Sequence, residues 1–83
     1  MKRGVEWLSV AGRELARMER ADASRIHRAV ESFALTGHGD VKALKGEFKG
    51  QYRLRVGKWR VFFELESPDR LVITNVDNRG QAY

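Results

Sequence analysis

Apolar and basic side chains alternate between Tyr52 and Val61, and this pattern predicts two antiparallel strands. The alternation breaks only at Gly57 and Lys58. A two-residue break that begins with Gly is typical of a type II′ hairpin turn. The resulting register predicts three cross-strand pairs: Val56 with Trp59, Arg55 with Arg60, and Leu54 with Val61.

The predicted hairpin has one apolar face and one basic face. Tyr52, Leu54 and Val56 are expected to point into a core, so the residues between them point away from it. The other face then carries three guanidinium groups, those of Arg53, Arg55 and Arg60. Because directly opposed like charges destabilise a hairpin, we interpret this cluster as a site that holds an anion. A solvated basic face is the alternative interpretation.

Two helices are predicted before the hairpin. A short strand, Val5–Leu8, leads into a helix capped by Ser9, and Asp22 caps a second helix that ends at Gly37. The second helix has apolar residues at helical spacing: Ile26, Ala29, Val30, Phe33 and Ala34. The two helices would form a helical hairpin with a largely solvated basic outer face.

A connector rich in Gly and Lys runs from residue 37 to residue 50, and its length favours a binding role. After the hairpin, a turn at Ser67–Asp69 precedes a β-branched strand, Leu71–Val76. The element order is β-α-α-β-β-β. It predicts a single α+β domain over residues 1–83, with a two-helix hairpin packed on a largely antiparallel four-stranded sheet.

Composition limits the kinds of site, the location and the partners that this domain can have. The chain has 83 residues, no Cys and a net charge of +5. Without Cys, disulfides and Cys-based zinc sites are excluded. No apolar run approaches the roughly 20 residues that span a bilayer, and the first residues lack a signal-peptide pattern, so we expect a cytoplasmic location. The charge favours a polyanionic partner, and both nucleic acid and an acidic protein satisfy it.

The residue patterns of common catalytic sites are missing. His27 and His38 lack metal-site spacing, and the chain has no P-loop, dinucleotide fingerprint or carboxyl pair. We therefore expect neither a metal nor a cofactor. The remaining candidates are the three hairpin arginines with Arg79 and Tyr83. Such a set could bind single-stranded RNA and stabilise a pentacoordinate phosphate formed by a 2′-hydroxyl, or bind nucleic acid without cutting it.

Several motifs, together with the opening Val5–Trp7 and the two predicted helices, cover nearly the whole chain: Asp40–Gly46, then Tyr52–Leu65, then Val76–Arg79 and Tyr83. In these motifs the sequence resembles the RelE/ParE superfamily of bacterial toxins, and it is more similar to the RelE-type mRNA interferases. Members similar to RelE are toxins of type II toxin–antitoxin pairs that enter the ribosomal A site and cleave mRNA there. Members similar to ParE share the fold but inhibit DNA gyrase.

The resemblance implies a role for each candidate residue. Arg60 would stabilise the scissile phosphate, Arg79 would lie near the leaving group, and Tyr83 would stack or take part in proton transfer. The RNA-binding residues would be Arg53, Arg55, Lys45 and Lys49. Some RelE enzymes have Lys where this chain has Arg53 and Arg55. Because Arg keeps its proton, these two residues are expected to clamp RNA rather than act as bases.

The function implied by the resemblance is a ribosome-dependent endonuclease that cleaves mRNA in the A site by metal-independent 2′-hydroxyl attack. Its partners would be a cognate antitoxin, the ribosome and mRNA. One alternative is a ParE-like, non-enzymatic inhibitor of DNA gyrase. Another is an inactive toxin relic that still binds its antitoxin.

Overall fold

Within residues 3–46 and 50–78, which the computed structural model describes, two helices cover one face of a five-stranded sheet. Neither helix is long and apolar enough to cross a membrane. The elements in chain order are β1 (Gly4–Trp7), α1 (Ser9–Arg17), α2 (Arg20–Thr36), β2 (Asp40–Ala43), β3 (Gln51–Val56), β4 (Trp59–Ser67) and β5 (Arg70–Asn78).

The strands lie in the order β1-β5-β4-β3-β2. β1 runs parallel to β5, and every other neighbouring pair in the described sheet is antiparallel. The predicted class, a two-helix hairpin on a largely antiparallel sheet, is confirmed. The predicted count of four strands is one too low because β2 was assigned to the connector. β2 has four residues and only Val41 is half-buried, so its alternation is too short to predict a strand.

The hairpin of β3 and β4 forms in the predicted register. Val56 pairs with Trp59, Arg55 with Arg60, and Leu54 with Val61. Gly57 has a φ of 60°, and no non-glycine residue in the described ranges, Lys58 included, has a positive φ. This combination identifies the predicted type II′ turn, in which only the first central residue needs a positive φ.

The core lies between the helices and one face of the sheet. Four of the helix positions predicted from spacing are buried: Ile26, Val30, Phe33 and Ala34. The sheet contributes Leu54, Val56, Val61, Phe63, Leu71, Ile73 and Val76. The Phe63 ring lies with its centroid 5.4 Å from that of Phe33 and 5.4 Å from that of Tyr52. Because strand residues alternate between faces, burial of this set fixes which side chains point away from the core.

Both predicted N-caps are wrong, whereas the predicted helix stop is confirmed. α1 includes Ser9, so Leu8 occupies its N-cap position, and no side-chain cap bond forms there. α2 begins after Glu19, which places Asp22 in the first turn, where a carboxylate still interacts favourably with the helix dipole. At the other end, Gly37 has a φ of 77° and its N–H donates to the Phe33 carbonyl oxygen at 2.7 Å.

Candidate anion-binding site on the outer sheet face

The sheet face opposite α1 and α2, which we call the outer face, carries the three hairpin arginines. Arg53 and Arg55 alternate along β3 with the buried residues Leu54 and Val56, so they project from the outer face. Arg60 pairs directly with Arg55 across β3 and β4. The structure therefore brings these three predicted site residues together.

Four charged residues form a row across the outer face. Strand register places Asp40 of β2 opposite Arg55, and Arg55 opposite Arg60. Arg60 is in turn opposite Asp77 of β5. We call these four residues the charged row, in which a carboxylate stands at each end and two guanidinium groups lie between. Each end carboxylate offsets part of the repulsion between the two central cations.

Arg60 is held on two sides. Its Nη2 donates a hydrogen bond to Asp77 Oδ2 at 3.1 Å, and its guanidinium carbon lies 5.8 Å from the centre of the Phe62 ring. The Arg60 side chain is 15% exposed, and that of Asp77 is 36% exposed. Ion pairs with so little exposure are screened by salt less than surface pairs are. Arg60 therefore offers its charge from a defined position.

Arg53 and Arg55 are paired less closely with carboxylates than Arg60 is. Arg53 Nη2 lies 3.8 Å from Asp40 Oδ1, and the Asp40 side chain is 60% exposed. Arg53 Nε is buried without a hydrogen-bond partner in the described part of the chain. Arg55 forms no ion pair with any residue in the described ranges. A bound phosphate would supply the ion-pair partner that Arg55 lacks among the described residues.

A second row lies beside the charged row and has a different chemistry. Register places Lys42 opposite Arg53, and Arg53 opposite Phe62. Phe62 is opposite Asn75. Two cations next to an aromatic ring are suited to nucleic acid, since cations contact phosphates and rings stack on bases. Sequence reasoning missed Phe62, although the alternation along β4 assigns it to the same face as Arg60.

Of the other predicted site residues, only Lys45 lies within the described ranges, and it is not at the charged row. The Leu44 N–H donates to the Gln51 carbonyl oxygen at 2.9 Å, so the exposed Lys45 lies near the start of β3, away from Arg55. Lys49, Arg79 and Tyr83 lie outside the described residues, and their roles stay predictions. Within those residues, no group of three or more His, Cys, Asp or Glu side chains is placed to hold a metal ion.

Sequence reasoning also missed the two carboxylates of the charged row. Asp40 lies on β2, which was not predicted as a strand. Asp77 was part of a quoted motif, but its partner depends on the register between β4 and β5. That register shifts twice, and the two shifts cancel. Counting residues from the turn at Ser67–Asp69 therefore pairs Asp77 with Arg60. The alternation along β5 misleads instead, because counting in twos from the buried Ile73 assigns Asp77 to the core face.

Comparisons with known proteins identify a family for the chain. A family model described as "ParE toxin of type II toxin-antitoxin system, parDE" matches residues 5–83. No curated protein matches the chain.

Solved structures with the same fold include two toxin–antitoxin complexes. The RelBE2 complex from Mycobacterium tuberculosis has a TM-score of 0.84 at 21% identity, covering 95% of this chain and 100% of that chain. The archaeal RelE–RelB complex from Pyrococcus horikoshii OT3 has a TM-score of 0.78 at 23% identity, with coverages of 99% and 100%. The YoeB/ParE toxin from Agrobacterium tumefaciens has a TM-score of 0.74 at 19% identity, with coverages of 94% and 98%. Likeness at these identities is a likeness of fold.

Proposed function

The chain belongs to the ParE toxin family of type II toxin–antitoxin systems, and we propose that it is a ribosome-dependent endonuclease that cleaves mRNA in the A site. The observation that carries this proposal is the direct pairing of Arg55 with Arg60 on the outer face, with Arg53 beside them. Three guanidinium groups on one face can bind RNA phosphates. They can also stabilise the negative charge that builds up on a pentacoordinate phosphate.

The reaction proposed needs no metal. The RNA 2′-oxygen forms a bond to phosphorus while the bond from phosphorus to the next nucleotide's 5′-oxygen breaks. The 2′-hydroxyl loses its proton, and the departing 5′-oxygen gains one. Arg60 would stabilise the reacting phosphate, Arg53 and Arg55 would clamp the RNA backbone, and Arg79 would lie near the leaving group. Tyr83 would stack on a base or take part in proton transfer.

Replacing Arg60 tests the proposal. Arg60→Ala should slow single-turnover cleavage of A-site mRNA on programmed ribosomes by about 10²- to 10³-fold, the usual effect of losing one preorganised charge stabiliser. Arg70→Ala is a matched control, because Arg70 lies at the other end of the sheet, where it pairs with Glu6 and Glu66. It should cleave at nearly the wild-type rate. Wild-type cleavage by Arg60→Ala would contradict the proposed site.

Inhibition of DNA gyrase is the second candidate, and the ParE description of the matching family favours it. The end carboxylates of the charged row also suit a protein interface, where a partner's charges can exchange with existing ion pairs. A supercoiling assay with purified gyrase separates the two candidates. Inhibition of supercoiling without any cleavage of A-site mRNA would replace the nuclease with this function, and a protein inactive in both assays would match a toxin relic.

A cognate antitoxin is the protein partner that we propose. Four of the similar structures are toxin–antitoxin complexes, and a net charge of +5 is suited to an acidic partner. Charge complementarity mainly raises the association rate, and salt screens it. Association should therefore slow as ionic strength rises, and a rate independent of salt would contradict an acidic antitoxin. Action on ribosomes would place the toxin in the cytoplasm.

A further inference from the structure

We infer that Asp77 is a positioning residue for Arg60, whose carboxylate holds the guanidinium where it meets the reacting phosphate. The activity readout of this inference rests on the proposed RNA cleavage, whereas the contact itself rests on the structure. Asp77 would act through Arg60 and would not itself touch the RNA.

The surroundings of Arg60 favour a single orientation of its guanidinium. Arg55 stands directly opposite on β3, and like charges in a cross-strand pair repel. Asp77 stands directly opposite on the other side, on β5, and accepts a hydrogen bond from Arg60 Nη2 at 3.1 Å. Repulsion on one side and attraction on the other both move the guanidinium towards β5. Phe62 flanks it from two residues along the same strand.

A carboxylate in this place has two effects of opposite sign. Its negative charge weakens the attraction of the outer face for any RNA phosphate. Its hydrogen bond orients the arginine that is proposed to stabilise the reacting phosphate, and small misplacements of such groups slow catalysis strongly. Removing only the charge of Asp77 should therefore strengthen RNA binding and slow the chemical step. A carboxylate with no positioning role would give the first effect alone.

Glu64 supplies a matched control. It is exposed on the same face, so Glu64→Gln changes the net charge by the same amount as Asp77→Asn. Its cross-strand partners are Gln51 and Val72, and it belongs to neither row of the candidate site. The Glu64 substitution therefore tests added charge without disturbing the orientation of Arg60.

The kinetic experiment is single-turnover cleavage of A-site mRNA at saturating and subsaturating toxin. Asp77→Asn should cleave roughly 10- to 100-fold more slowly at saturation, with a higher affinity for RNA. Glu64→Gln should cleave within about twofold of wild type, since changes that leave the reacting geometry intact affect mainly binding. Asp77→Glu, which keeps the carboxylate, should recover part of the rate. Wild-type saturating cleavage by Asp77→Asn, or an equal loss in Glu64→Gln, would overturn the inference.

A double-mutant cycle tests whether Asp77 acts through Arg60. In the Arg60→Ala background, Asp77→Asn should cause no further loss of rate, because the group that it orients is gone. A second loss as large as that in the wild-type background would assign Asp77 a role independent of Arg60, contrary to the inference.

A readout without activity separates this inference from the proposed function. The NMR signal of the Arg60 Nε–H group should be sharp in the wild type, broadened or shifted by Asp77→Asn, and unchanged by Glu64→Gln. If the wild type cleaves no mRNA, the nuclease proposal fails, and this spectrum still tests the contact. If Asp77→Asn does not fold, Asp77→Ala, which also removes the carboxylate, provides the same comparison. An Arg60 signal that none of the Asp77 variants alters would overturn the inference.

Discussion

The two faces of the β3–β4 hairpin are built from the same strands, yet they are stabilised by different kinds of interaction. On the helix side, Leu54, Val61 and Phe63 are at most 3% exposed, and burial of apolar surface needs no particular partner. On the outer face, Arg55 and Arg60 depend on carboxylates at defined distances across neighbouring strands. A register slip of one residue would exchange the two faces, so the core that fixes the register also assembles the charged row.

A carboxylate placed on the helix side should have the largest effect. Val61 is fully buried, and a carboxylate there would lack a partner, at a cost of several kcal/mol. A small domain has a total stability of only about 5–15 kcal/mol, so Val61→Asp should show no cooperative thermal transition by circular dichroism. Val72→Asp places the same group on the outer face between Glu6 and Glu64 and should remain folded. A folded Val61→Asp protein would contradict the comparison of the two faces.

Loss of a charge from the outer face should affect binding and not folding. Arg55 has no ion pair among the described residues, so Arg55→Ala should keep its thermal midpoint or raise it slightly by relieving repulsion with Arg60. Its affinity for single-stranded RNA should fall about tenfold, and the slope of log affinity against log salt should fall by about 1. Arg28→Ala, on the exposed surface of α2, is the control with the same charge change. An unchanged salt slope for Arg55→Ala would exclude a phosphate contact.

The turn between β3 and β4 should tolerate substitution of Gly57 poorly. Gly57 has a φ of 60°, and a Cβ there would lie 3.2 Å from Arg25 Nη1. Gly57→Ala should lower the free energy of unfolding by about 1–2 kcal/mol, measured by chemical denaturation. Gly12→Ala in α1 is the opposite case, because an added Cβ meets nothing within 4 Å and stabilises a helix by up to about 1 kcal/mol. Equal stability of the two variants would contradict the assigned turn.

The smallest effect is expected at the far end of the outer face. Arg70 Nε lies 3.1 Å from Glu66 Oε1, and the two side chains are 45% and 63% exposed. Exposed pairs of this kind contribute about 0.2–1 kcal/mol, so Glu66→Gln should change the free energy of unfolding by less than about 1 kcal/mol. Glu6 also remains as a partner of Arg70. A larger change, or any loss of RNA affinity, would show that charges across the whole outer face act together.

The sequence predicts correctly those elements of the fold that are determined by residues close together in the chain. The hairpin register, the Gly57 turn and the stop at Gly37 follow from alternation and from backbone conformations that favour glycine. The start of α1 does not, because the Leu8 N–H donates to the Ile73 carbonyl oxygen at 3.0 Å. Pairing with β5 thus holds Leu8, and α1 begins at the next residue whatever the capping preference of Ser9.

The candidate site likewise has one part that the sequence predicts and one part that it does not. Alternation within a single hairpin was sufficient to place Arg53, Arg55 and Arg60 on one face. The contact of Arg60 with Asp77 spans 17 positions and two register shifts that cancel. Counting from the turn gives this pair, but the break in alternation between the buried Ile73 and Val76 decides which face Asp77 occupies, and no local pattern predicts that break.

The parallel pairing of β1 with β5 determines when the protein can complete its sheet. Glu6 and Arg70 form an ion pair across these strands although they are 64 positions apart in the chain. At about 5–20 residues per second, a ribosome would make β1 roughly 3 to 13 s before its partner strand. Closing so long a loop also has an entropic cost, which makes late sheet closure the expected slow step of folding. Asp77 lies on β5, so a nascent chain has no complete charged row until that strand has left the ribosome.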